Sequence, residues 1–103
     1  MKIYDKASWH IDAGMDEHEV VEKFRSVFNS LERLDLLSDE GYEISELGID
    51  DSISLNENMV TKRGCKFLDK YYDAVIAYNS DKISDELEKC YKSFALENNL
   101  KSN

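Results

Sequence analysis

At 103 residues the chain has room for one hydrophobic core, and its 42% hydrophobic content, with six Tyr and four Phe, is enough to fill it. No Pro and only four Gly argue against a turn-rich β architecture and for long helices. The net charge of −9 disfavours nucleic acid and anionic membranes as partners, and no run reaches the roughly 18 to 20 apolar residues of a membrane span.

The opening MKIYDKASWHID lacks the basic-then-apolar layout of a signal peptide, so a cytoplasmic chain is expected. Residues 1–14 read as an extended arm, with Trp9 and Ile11 on one side and His10 and Asp12 on the other. Trp9 is then the anchor of the arm in the core. Met15 and Asp16 form a staple and cap for a helix over 16–36, with Glu19 at the capping-box position. Val20, Val21, Phe24, Val27, Phe28, Leu31 and Leu34 give that helix one apolar face.

A shorter helix is expected over 38–47, with Ile44 and Leu47 inward and Gly48 as its stop. In the connection that follows, Ile49, Ile53 and Leu55 alternate, which fits a loop pinned by three side chains or a short strand near 52–55. As a strand, its partner is the opening arm. The stretch 59–79 predicts the central helix, over 61–78, because Phe67, Leu68, Tyr71, Tyr72, Val75, Ile76 and Tyr78 recur at three- and four-residue steps. A last helix over 81–98 turns Ile83, Leu87, Cys90, Tyr91, Phe94 and Ala95 inward, and residues 100–103 should fray. The expected architecture is a mainly α, single-domain bundle of about four helices with a short extended arm. Cys65 and Cys90 fall within helical patterns and read as reduced, buried thiols.

Two stretches share an eight-residue frame. Leu37 to Ile44 and Val60 to Phe67 both run apolar, hydroxyl, two polar residues, Gly, two more residues, apolar. Ser38 and Thr61 are the caps in this frame, and Gly41 and Gly64 leave room for a neighbouring backbone. The two helix starts should therefore occupy similar packing contexts.

Charge is concentrated in the middle of the chain. Residues 1–33 hold five basic and seven acidic side chains, 34–61 no basic and eight acidic, and 62–103 eight basic and seven acidic. Such a segment steers a basic partner inward over long range. The alternatives are weaker in the sequence. His10, Asp12 and His18 are too few and too scattered for a zinc or acid–base set, and the paired acids Asp50 and Asp51 lack the Gly-centred frame of a calcium loop. The tyrosines at helical spacing read as a core edge more than as a stacking platform for bases. No phosphate-cradling Gly cluster or nucleophile elbow occurs. No enzyme activity, cofactor or metal is expected.

The segments LLSDEGYEI and MVTKRGCKFLDKYY resemble helix-opening turns of winged-helix regulators, which implies DNA binding. The helix at SDEGYEISEL has no Lys or Arg, however, and that leaves at most an acidic winged-helix-like adaptor or regulator acting through protein contacts. In size, charge and lack of a catalytic set, the chain resembles the small acidic immunity proteins of bacterial contact-dependent and other polymorphic toxin systems. That resemblance implies a non-enzymatic module that neutralises a basic toxin domain, often a nuclease. The contacts expected from the acidic segment are Asp39, Glu40, Glu43, Glu46, Asp50 and Asp51, with Tyr42, and Ile49 or Leu55 where exposed, as anchors.

Overall fold

The computed structural model describes residues 1–98. Strand β1 (Ile3–Lys6) runs straight into a short helix α1 (Ala7–Asp12), followed by α2 (Glu17–Arg33) and α3 (Asp39–Leu47). Strand β2 (Ser54–Asn56) and a single 3-10 turn (Glu57–Met59) lead into α4 (Lys62–Val75) and α5 (Ser80–Glu97). The architecture is the mainly α bundle expected, and β1 pairs antiparallel with β2, Asp5 opposite Leu55 and Lys6 opposite Ser54. Residues 100–103, where fraying was expected, lie outside the described residues.

The arm is only half extended. From Ala7 onward it is helical, because Ala7 and Ile11 stand four apart and both turn onto the core, with α1 packed on α2. The helix takes Trp9 out of the core, leaving it 51% exposed, with the Lys6 ammonium 5.9 Å from its ring centroid. Two-residue alternation in KASWHID was thus overruled by a four-residue repeat.

α2 is the element the others meet, touching α1, α3 and α5, whereas α4 lies between α5 and β1. Its buried Val20, Phe24, Val27, Phe28 and Leu31 follow the expected spacing, and each contributes about 1.5–3 kcal/mol by leaving water. The wide stripe of α4 suggested a central helix, but it serves two neighbours on adjacent sides. The helix ends at Val75, three residues short of the expected limit, and Tyr78 beyond it is exposed. Phe67 and Tyr71 of α4 interlock with Tyr91 and Phe94 of α5, ring centroids 5.3–6.4 Å apart. These aromatics are a helix seam, as their spacing implied.

The polar side of α2 secures the α4–α5 turn. Asp16 caps α2 by accepting from the Glu19 amide at 3.0 Å. The Glu19 carboxylate does not close a capping box; it accepts from the Ser80 amide and hydroxyl, each at 3.2 Å, and so caps α5, whose own Asn79 makes no side-chain cap. Buried Lys23 donates to the Ile76 carbonyl at 3.2 Å, at the end of α4, where the helix dipole favours a cation.

α2 stops at Arg33 and not near residue 36, since Asp35 adopts a φ of 59° and turns the chain away. Leu36 and Leu37 then run extended to meet Met59 and Val60 in an antiparallel bridge. The Ser38 amide donates to the Met59 carbonyl at 3.0 Å, and the Thr61 amide donates to the Leu36 carbonyl at 2.9 Å. Each hydroxyl caps its helix, Ser38 Oγ accepting from the Gly41 amide at 3.2 Å and Thr61 Oγ1 from the Gly64 amide at 3.0 Å. The two similar frames of the sequence therefore pack on one another. A Cβ on Gly41 would lie 2.1 Å from the Met59 carbonyl oxygen, and one on Gly64 3.0 Å from the Leu36 carbonyl oxygen.

Candidate functional site: an acidic helix face

α3 is set by the crossing at its start and by Tyr42 and Ile44, which pack partly buried on the core. At 100° per residue, Asp39, Glu40, Glu43, Glu46 and Leu47 then share the opposite face. All five are exposed. Leu47 is turned out, 78% exposed, and does not face the core as its spacing from Ile44 suggested. Leu47 falls on the same side of the helix as the acids, and buried Ile49, beyond the Gly48 stop, supplies the apolar contact there.

Two further acids follow in the turn after the helix. Asp50 and Asp51 are exposed, and Asp50 Oδ1 accepts from the Ser52 hydroxyl at 2.6 Å and the Ser52 amide at 2.9 Å. These two bonds lower its carboxyl below the usual range. Asp51 lies against Glu17 in the first turn of α2, and their hydrogen bond and like charge raise the Glu17 carboxyl. Glu17 thus joins the acidic surface, a residue the sequence did not connect with residues 50–51.

Among the described residues, five acids outside this surface are paired with lysine or arginine. Lys2 pairs with Asp69, Arg25 with Glu22, Arg33 with Glu88, Lys70 with Glu97 and Lys89 with Glu86. Among the described residues no ion pair involves Asp39, Glu40, Glu43, Glu46, Asp50 or Asp51. The expected anchors need revision. Ile49 and Leu55 are buried in the core, and Tyr42 is half-buried at the inner side of α3, so Leu47 is the apolar side chain offered within the acidic face.

A second polar cluster was not anticipated. Asp5 is 4% exposed and accepts the Tyr72 hydroxyl at 2.6 Å, while His10 Nε2 lies 2.7 Å from Oδ2 and 2.8 Å from Oδ1. Burial, and then the Asp5 carboxylate, push the Tyr72 hydroxyl well above its ordinary value. Alternation put His10 and Asp12 on the same side of an extended arm, but α1 brings His10 back to Asp5 and leaves Asp12 exposed. One carboxylate thereby joins β1, α1 and α4, and its donors are committed to holding the fold together. His18 is exposed on α2, and among the described residues no group of three or more His, Cys, Asp or Glu is placed to hold a metal ion. Cys65 and Cys90 are free and half-buried. No described helix is long and apolar enough to cross a membrane.

Compared with protein-family models, curated proteins and solved structures, the chain matches none.

Proposed function

We propose that this protein is a non-enzymatic binding module, an immunity protein that neutralises a basic toxin domain by docking it on the α3 face. The observation that carries this reading is that Asp39, Glu40, Glu43 and Glu46 share one exposed face of α3 with the outward Leu47, Asp50 and Asp51 are exposed just beyond it, and none of the six has an ion-pair partner among the described residues. Unpaired acids raise the encounter rate with a cationic surface, and an apolar side chain among them supplies contact area that water leaves on docking. A nuclease domain, whose substrate groove must be basic to hold phosphates, has the complementary surface. A cytoplasmic location accords with this role.

The test is co-expression with candidate basic nuclease toxin domains, followed by stopped-flow association with any that binds, at several salt concentrations. Replacing Asp39, Glu40, Glu43 and Glu46 with Lys should slow association at low salt by about tenfold or more and flatten its salt dependence. Leu47→Asp should mainly accelerate dissociation. An unchanged association rate and salt slope in the fourfold variant would rule the acidic face out as the docking surface.

A further inference from the structure

The frame shared by the two helix starts carries Asp39, Glu40 and Glu43 in one copy and Lys62, Arg63 and Lys66 at the same three places in the other. Helical spacing gathers these three cations on about a third of the α4 circumference. With Phe94 and Asn98 from the end of α5 they line a cleft of about 240 Å3. All three are exposed, and among the described residues none forms an ion pair.

Acids close by are engaged elsewhere. Asp69, one turn beyond Lys66, takes the Lys2 ammonium. Glu97, beside Asn98, accepts from the Lys70 ammonium and the Tyr71 hydroxyl. Glu57 accepts the Lys2 amide at 3.0 Å. In a chain with 22 acids and 13 bases, three neighbouring cations on one concavity stand without a carboxylate partner among the described residues. The fold does not require them: α4 is started by the Thr61 cap and the close approach at Gly64, and cations in a first helical turn oppose the helix dipole.

We propose that this cleft is an anion site for a phosphate-bearing ligand, either free diphosphate or the terminal phosphates of a nucleotide. Arg63 supplies a planar fork suited to two phosphate oxygens, and Lys62 and Lys66 act as point charges beside it. Three converging cations suit a multiply charged phosphate better than a single carboxylate. The volume is below the roughly 300–1,000 Å3 that encloses a drug-sized molecule, so the cleft takes phosphate groups and leaves any attached base outside. The site lies on α4 and α5, and the inference stands apart from the docking role of α3.

The test is a titration of the full chain with sodium pyrophosphate, and separately with ATP, followed by amide NMR shifts against sodium chloride at matched ionic strength. Saturable shifts at residues 62–66 and Asn98 are expected. Arg63→Ala should weaken binding by about tenfold, and the triple variant Lys62→Ala, Arg63→Ala, Lys66→Ala should abolish it. These exposed positions leave the core intact, and the triple variant's spectrum reports that directly. Pyrophosphate binding at least as tightly as ATP identifies the free diphosphate as the source, and tighter ATP binding identifies a nucleotide. Shifts that do not saturate, that equal those from chloride, or that survive in the triple variant overturn the proposal.

Discussion

The starts of α3 and α4 are built alike and charged oppositely. Both have a hydroxyl cap, both have glycine at the third helical position, and each lends a carbonyl to the other's first amide across the Leu37–Val60 bridge. What the crossing needs is confined to the hydroxyls, the glycines and the apolar residues before the caps. The outward positions between them are unconstrained by packing, and there one start carries acids and the other bases. Charge at these places is therefore the better guide to what the surface meets, because the fold does not dictate it.

The largest test of this likeness is at the glycines. Gly41→Ala should cost about 3 kcal/mol or more, since its new methyl would overlap the Met59 carbonyl of the opposing 3-10 turn, and Gly64→Ala about 1 kcal/mol, since its neighbours need yield only slightly. Urea denaturation of both variants checks the ranking, and equal costs would mean that the crossing is looser on the α3 side than described. Next come the caps. Ser38→Ala and Thr61→Ala should each lose about 1 kcal/mol, and markedly unequal losses would break the equivalence of the two starts.

The charge difference is tested by reversing it. Acids at the start of α3 agree with the helix dipole and bases at the start of α4 oppose it, so Lys62→Glu with Arg63→Glu should raise stability by about 0.5–1 kcal/mol at low salt. No gain would indicate that these cations already have compensation within the fold. The smallest effect belongs to Glu17. Its carboxyl is raised in the folded protein, so the proton is held more tightly there than in the unfolded chain. The contribution of this one group is accordingly lost as pH rises through the carboxylate range, and Glu17→Gln removes that loss. Thermal melts of the two should coincide in acid and separate slightly toward neutral pH, the variant melting higher.

The architecture was legible where a single periodicity governed a long stretch. α2, α4 and α5 turn inward most of the residues their three- and four-residue repeats nominate, Tyr78 being the exposed exception, and buried Ile49, Ile53 and Leu55 pin the connection as their alternation implied. Short segments were harder, because over six residues Ala7 to Asp12 satisfies a strand pattern and a helix pattern, and only the presence of α2 decides between them. Helix ends were overextended for a similar reason: apolar residues such as Leu36 and Tyr78 continue the pattern after the backbone has turned. The exposed acids of α3 could be read from the sequence, since carboxylates without partners stay in water. Leu47 and the Asp5–His10–Tyr72 cluster could not, as the first depends on which face Tyr42 and Ile44 turn to the core and the second joins residues 67 positions apart.

The reciprocal bridge at Leu37 and Val60 also bears on the order of assembly. It closes a loop of 23 residues, whereas pairing Ile3 with Asn56 closes one of 53, and the longer closure costs about 0.7 kcal/mol more in chain entropy. Once the neck between 37 and 60 is tied, β2 is held close to the helices, and the amino-terminal strand has only to add on. Disturbing the neck should then slow folding, while weakening the Ile3–Asn56 end of the sheet should chiefly hasten unfolding.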